Sequence, residues 1–205
     1  MVPSKVSAIT LGFSPATARN IANFLTNWIV KHQNMTEMEK GKFGGPDQIV
    51  EMDESCFFSR KNNKGRVTKQ IWGFGFVVRG SNRLFVEIVE KRDANTLIPI
   101  INRWINKDCQ FLISDEWRAY KGLKKLGYNH ETIKHKDNFV DKENKIVHTQ
   151  TIENRWGQIK GLMKKRGKMS RINFNIKIKE LTWRITNRMN IQEKMLETIK
   201  QFNFE

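Results

Sequence analysis

Cysteine is nearly absent from this sequence, with only Cys56 and Cys109 in 205 residues. The two stand far apart, no CxxC pair exists and histidines number four, so a structural zinc site has no support. Two reduced thiols packed as small hydrophobes are the expectation. Long apolar runs are missing too: no stretch of about 18 apolar residues exists, so no membrane-spanning helix is expected. Met1 to Ala18 lacks a basic segment followed by a continuous apolar core, so no secretory signal is expected. Internal repeats and low-complexity tracts are also lacking. Acids are in short supply, 21 Asp and Glu against 37 Lys and Arg, a net charge of +16. Hydrophobic residues at 39% and aromatics at 10% still suffice for one domain with a buried core.

The positive excess points to a polyanionic partner, nucleic acid before membrane. Its distribution says more than its total. Between Ile49 and Trp117 there are 11 basic and 9 acidic residues, whereas Thr151 to Arg171 holds 7 basic residues and the single acid Glu153. A solvated basic helix would give the same count.

Local patterning divides the chain. Ser14-Pro15 is a helix start, and Ile21, Phe24, Leu25, Trp28 and Ile29 follow at helical spacing. Residues 1–43 therefore read as a helical N-terminal segment, either a packing helix or a remnant of a helix-turn-helix DNA reader. The Gly-rich joint Glu39 to Pro46 separates it from residues 44–205. Three strands joined by polar turns come next: Ile49–Phe58, then Gln70–Val78 after a basic turn from Arg60 to Arg66, then Leu84–Val89. They form an antiparallel meander. A helix from Asn95 to Trp104, a strand Gln110–Ser114 ending at Asp115, a helix Ala119–Leu126 and a strand His130–Ile133 continue the pattern. After a polar loop through Asn138 to Asp141, a helix starts near Thr151 with Ile152, Trp156, Ile159 and Met163 as its buried stripe and Thr149 or Thr151 as cap. A last helix spans Ile176 to Lys200. A meander followed by αβ units implies a three-layer α/β fold with a mixed sheet.

Asp53 falls within the first strand, Asp115 at the end of the fourth and Glu153 in the first turn of a late helix, 62 and then 38 residues apart. If the first and fourth strands are neighbours, both aspartates emerge on one sheet edge and a crossing helix adds the glutamate. Converging carboxylates repel unless cations lie among them. An all-oxygen set suits Mg²⁺ or Mn²⁺, and two such ions serve phosphodiester chemistry. Read singly, Asp53 is a satisfied turn acid, Asp115 a helix cap and Glu153 a partner of the helix dipole. Glu54 and Glu116 should face the other way by strand alternation, and Asp93 and Asp108 read as cap or turn residues.

Four blocks carry a resemblance: Gly45-Pro46 with Ile49-Val50-Glu51-Met52-Asp53-Glu54-Ser55; Ile71-Trp72-Gly73-Phe74-Gly75; Ser114-Asp115-Glu116-Trp117-Arg118-Ala119-Tyr120; and Asn138-Phe139-Val140-Asp141 with His148-Thr149-Gln150-Thr151-Ile152-Glu153-Asn154-Arg155-Trp156. In order and spacing they resemble Merlin-type DDE transposases and their bacterial insertion-sequence relatives, the ISXO2-like transposase domains. The resemblance implies a ribonuclease-H-like core with Asp53, Asp115 and Glu153 as catalytic and metal-binding triad, and Trp117, Arg118, Tyr120 and His148 in support. It implies Mg²⁺ or Mn²⁺ as cofactor and DNA as partner: terminal inverted repeats that are cut, and target DNA that receives the freed 3′-hydroxyls. Pairing two ends implies a homo-oligomer, in the nucleus of a eukaryotic host or the cytoplasm (nucleoid) of a bacterial one. Arg155, Lys160, Lys164, Lys165 and Arg166 are expected on the polar helix face toward phosphates, with Lys164 to Lys168 also resembling a nuclear-import cluster. Relatives carry a longer N-terminal helix-turn-helix region, so a shortened copy is implied. The alternatives are a ribonuclease-H-like nuclease without strand transfer and a transposon-derived DNA-binding protein lacking activity.

Overall fold

The computed structural model describes residues 10, 12–58, 70–133, 147–167 and 173–201. The basic turn from Arg60 to Arg66, the loop from Asn138 to Asp141 and Lys168 lie outside the described residues. In chain order the elements are α1 (Pro15–Glu39), β1 (Ile49–Phe58), β2 (Ile71–Val78), β3 (Leu84–Val89), α2 (Ala94–Trp104), β4 (Phe111–Asp115), β5 (His130–Ile133), α3 (Gln150–Arg166), α4 (Phe174–Thr186) and α5 (Ile191–Lys200). The strands lie side by side in the order β3-β2-β1-β4-β5. Both β1–β2 and β2–β3 are antiparallel, and β1–β4 and β4–β5 are parallel. An antiparallel meander whose first strand is central and carries parallel neighbours on its other side is the ribonuclease-H-like arrangement.

Alternation along β1 divides two cores. Val50 and Met52 face one layer with Phe74, Phe76, Leu97, Ile101 and Leu112, beneath α2. Phe57 and the neighbouring Val77 and Val86 face the opposite layer with Ile152, Trp156 and Ile159 of α3 and Ile178 and Leu181 of α4. Three layers result, helix over sheet over helix. The buried stripe of α3 is the expected one, Ile152, Trp156 and Ile159, with Met163 packed against it.

The second layer approaches the sheet closely because β2 offers no side chains at two positions on that face. A Cβ on Gly75 would sit 2.7 Å from Trp156 Cη2 and 3.0 Å from Phe85 O, and one on Gly73 would sit 2.5 Å from Phe57 Cε2. The two glycines form a trough that takes the indole of Trp156 and the ring of Phe57, which meet edge to face with centroids 5.9 Å apart.

The N-terminal helix starts as its sequence dictates, Ser14 Oγ accepting from Thr17 N at 3.1 Å with Pro15 opening the first turn. Its C-terminal half packs on α4 and α5. Glu37 pairs with Arg83 at 2.9 Å, and Trp28 Nε1 donates to Thr198 O at 2.7 Å. The Gly-rich joint is tied down as well: Phe43 is fully buried, its N–H donates to Trp104 O and its carbonyl accepts from Asn106 N.

Two helices expected from the sequence take other forms. The stretch Ala119–Leu126 is a pair of single 3₁₀ turns, Arg118–Tyr120 and Lys124–Leu126, with Gly122 between them and Gly127 at a φ of 89° closing the second. Glycine withholds the helix propensity that would join them. The long helix from Ile176 splits into α4 and α5 because Asn187 turns its side chain back on Trp183 O at 2.8 Å, competing with the ladder, and Asn190 begins a new helix. Among the described residues no helix is long and apolar enough to cross a membrane.

Gly75→Ala is expected to push Trp156 off β2 and lower stability by about 1–3 kcal/mol, the usual range for overpacking. Chemical denaturation monitored by tryptophan emission measures this, and a native-like midpoint would show that the trough is not needed.

Candidate active site

Strand register aligns the two aspartates. The parallel β1–β4 pairing runs Ile49↔Phe111, Val50↔Leu112, Glu51↔Ile113. Two residues further along each strand are Asp53 and Asp115, on the same face and level with one another, on strands whose usual spacing is ~4.8 Å. The same face carries α3, whose first turn holds Glu153. The charges meet: Asp53 feels Glu54, Asp115 and Glu153. Asp53 Oδ2 accepts a hydrogen bond from Trp156 Nε1 at 3.1 Å, Asp115 Oδ1 accepts from Trp117 N at 3.0 Å and Glu153 Oε1 accepts from Thr149 Oγ1 at 2.8 Å.

What holds α3 in this place is a residue that sequence reading missed. Glu51 lies two positions before Asp53 on the same face of β1 and is fully buried. Its Oε2 accepts from the backbone N–H groups of Thr151 and Ile152 at 2.8 and 3.0 Å, and its Oε1 accepts from Thr151 Oγ1 and Arg79 Nε, both at 2.8 Å. The helix cap expected from Thr149 or Thr151 is thus supplied by a strand 100 residues earlier in the chain. A carboxylate suits the free N–H groups and positive end of a helix. His148 Nδ1 stands 3.4 Å from Glu51 and 3.3 Å from Arg79 Nη2, where burial first, and then the Arg79 charge, lower its pKa. The signal was present in the sequence: a glutamate inside an apolar strand, sharing a face with Asp53.

The acids carry an electrostatic cost. Burial, then the charges of Glu54, Asp115 and Glu153, push the Asp53 carboxyl up to about 8. Glu54 faces the opposite layer, as alternation requires, yet it is no bystander. Tyr120, itself buried, donates its hydroxyl to Glu54, and burial raises Glu54 to about 7. Arg92 balances this side of the site, its guanidinium stacked 3.6 Å above the Trp72 ring centroid and 4.7 Å from that of Trp117.

The other expected positions divide. Trp117 joins Asp115 through its backbone while its indole donates to Arg92 O at 2.7 Å. Arg118 is exposed over the Trp117 ring. Lys160, Lys164 and Lys165 are exposed, and Lys160 and Lys164 share the face of Glu153 at i+7 and i+11. Arg155 departs from the expected polar face: it is buried, and its Nη2 donates to Ser81 O and Asn82 Oδ1 at 3.2 and 3.3 Å, docking α3 on the β2–β3 turn. Burial, then the nearby Arg188 charge, lower its pKa. Arg166 is also engaged within the fold, paired with the buried Glu180 of α4.

A divalent metal fits the donor chemistry of Asp53, Asp115 and Glu153, which is all carboxylate oxygen, and would relieve the repulsion that raises Asp53. The three are not closed into a ligand cage. Among the described residues no group of three His, Cys, Asp or Glu side chains stands ready to hold an ion.

Replacing Glu51 by Ala is expected to destabilise the chain by about 3–5 kcal/mol in chemical denaturation, since Arg79 and two helix N–H groups lose a buried partner; a loss under ~1 kcal/mol would refute the clamp. The raised Asp53 also sets a pH dependence. A carboxyl whose folded pKa exceeds its unfolded value near 3.8 contributes stability that is complete below that value and lost as pH rises through about 8. In metal-free buffer the Tm should therefore fall from pH 5 to pH 8.5 by at least about 5 °C, and Asp53→Asn should flatten that fall. An unchanged slope in the variant would show that Asp53 is not its source.

The chain is similar to proteins of known sequence and of known structure. A relative from Haemophilus influenzae, described as an uncharacterized transposase-like protein, is 27% identical over 105 residues, 51% of this chain and 82% of its own. Among solved structures, the HTLV-2 integrase catalytic core domain, a dimeric form in complex with magnesium, aligns with 68% of this chain and 86% of its own at 14% identity and a TM-score of 0.42. The catalytic core domain of BIV integrase aligns with 74% and 95% at 15% identity and a TM-score of 0.44. Residues 45–186, well over half of the chain, match the ISXO2-like transposase domain. The chain belongs to the family of ISXO2-like transposase domains.

Proposed function

We propose that this chain is a DNA transposase that hydrolyses phosphodiester bonds at transposon ends and transfers the freed 3′-hydroxyls into target DNA. Family membership supports the DNA substrate and the reaction class. The observation that carries the reading to named residues is that the parallel register of β1 and β4 sets Asp53 beside Asp115 while the first turn of α3, on the same face, brings Glu153 close enough for its charge to act on Asp53. Three acids gathered in a chain of net charge +16 have no stabilising purpose of their own.

In this reading Asp53, Asp115 and Glu153 would hold Mg²⁺ or Mn²⁺. Such ions, when bound, supply activation of the attacking oxygen and stabilisation of the leaving one. The chain's own residues orient these acids. Trp156 Nε1 fixes one oxygen of Asp53, Trp117 N fixes one of Asp115, and the Glu51 clamp sets the height of Glu153 along β1. Lys160 and Lys164, exposed on the Glu153 face, would hold the backbone of the strand being cut. Gly157, between Glu153 and Lys160, has open space at its Cβ position and lets a strand lie close to the helix. Pairing of two ends calls for at least a dimer in the active complex.

The test is incubation of labelled transposon-end DNA with the chain, Mn²⁺ and a target plasmid. Joined products are expected; cleavage alone would identify a nuclease, and a mobility shift without cutting a DNA-binding protein. Asp53→Asn, Asp115→Asn and Glu153→Gln should each reduce cutting by at least about 100-fold, a loss of ~2.7 kcal/mol or more in the barrier, while DNA binding persists. Normal cutting by all three variants would overturn the assignment.

A further inference from the structure

On the flank of α3 turned away from Glu153 lies an open cavity of about 490 Å³, lined by His148, Gln150, Asn154, Arg155, Gln158 and Arg188. On the helix wheel Glu153, Lys160 and Lys164 form one face, whereas Thr151, Asn154, Arg155 and Gln158 form the flank beyond it. This cavity is therefore separate from the surface proposed above for the cut strand. Among the described residues no carboxylate lines it.

Its charges are unbalanced. Arg155 is 8% exposed, and its Nε has no hydrogen-bond partner among the described residues. The other end of the guanidinium is committed, Nη1 to Gln158 Oε1 and Nη2 to the β2–β3 turn. Arg188, in the turn after α4, is exposed, makes no ion pair among the described residues and is close enough for its charge to act on Arg155. Two guanidiniums facing one cavity, with no acid between them among the described residues, repel. A phosphate between them would replace that repulsion with charge-assisted hydrogen bonds. Gln158 Nε2 donates to Asn154 Oδ1 at 2.6 Å, which aligns the amide side chains along the same wall.

We infer that this cavity is a second phosphate site, holding a backbone phosphate of the DNA away from the bond that is cut, with Arg188 as its principal donor and Arg155 as its buried support. The inference rests on the reading that the chain acts on DNA. The site is open rather than enclosed, which suits one phosphate of a continuous strand. Gln158 lies ~7.5 Å from Glu153 along the helix axis and roughly 140° round it, so the cavity would take a phosphate several nucleotides removed from the one at Glu153.

The experiment is fluorescence anisotropy of the full chain with a labelled duplex, in the absence of divalent metal, between about 50 and 200 mM salt. Each phosphate neutralised makes a fourfold rise in salt cost about three- to fourfold in affinity. Arg188→Gln is expected to remove one such increment from the salt dependence and to weaken binding at the lower salt, with an unchanged Tm. Arg188→Lys, which keeps the charge, should retain the wild-type slope. Identical affinity and slope for wild type and Arg188→Gln would overturn the inference. So would calorimetry in which inorganic phosphate alone saturates an Arg188-dependent site while the duplex slope stays unchanged, since the cavity would then serve a free anion. Because no metal is present, the outcome is separable from catalysis. Failure of the wild type to cut DNA would sink the transposase reading and leave an altered slope standing; normal cutting with an unaltered slope would sink only this inference.

Discussion

One buried carboxylate determines where the site can be. Glu51 takes two helix N–H groups, a threonine hydroxyl and an arginine onto two oxygens, so it joins the central strand to the start of α3 at a fixed height. Each donor would be left unsatisfied without it, and burial multiplies that cost. Since Asp53 is two residues along the same strand face and Glu153 two residues along the helix from Thr151, the clamp also sets the relation between these acids. The trough at Gly73 and Gly75 completes the constraint: Trp156 approaches the sheet closely enough to reach Asp53 only because β2 has no Cβ there.

This rigidity explains how mutually repelling groups stay together. The acids gain nothing from one another, as the raised Asp53 and Glu54 show. They are held by contacts that do not depend on them: the parallel register of β1 and β4, the hydrophobic stripe of α3, and the Glu51–Arg79 pair. Stability stored in those elements is spent at the sheet edge, a trade typical of sites built for a charged ligand. Arg92, stacked between Trp72 and Trp117, keeps a positive charge near Glu54 without occupying the face that Asp53 shares with α3.

Much of this was legible in the sequence, and the part that was not has a common cause. Strands such as Ile49–Phe58, Leu84–Val89 and His130–Ile133 announce themselves by alternation or apolar runs between turn residues, and the stripe of α3 by its spacing; these are local signals. Asp53, midway along β1, and Asp115, at the end of β4, stand level because the two strands are parallel neighbours, so their meeting was readable once the sheet was. For Glu51 only its place inside an apolar strand was legible; its role was not, because it exists only when residues 100 positions apart meet. Arg155 and Arg166 were misplaced for the same reason. A basic residue on a helix reads as solvated until a turn or a buried glutamate from elsewhere comes to face it. The breaks at Gly122 and Asn187 failed differently: a weak stripe was extended across residues whose helix propensity is poor.

The net charge of the chain therefore overstates the charge available to a partner, and the identity of the residue corrects for it. Arginines do the internal work here: Arg79 with Glu51, Arg83 with Glu37, Arg166 and Arg184 with Glu180, each against a largely buried carboxylate. Lysines pair mostly at the surface, as Lys124 with Glu131 and Lys194 with Glu197, where such pairs contribute little, although Lys40 joins Arg83 on the buried Glu37. A planar guanidinium is weakly hydrated and binds several acceptors at fixed angles, so it survives burial; an ammonium is strongly hydrated and remains outside. The surface field that would meet a phosphate backbone is thus carried largely by lysines such as Lys160, Lys164 and Lys165. Exposed arginines with no carboxylate partner among the described residues, Arg118 and Arg188 among them, depart from that division.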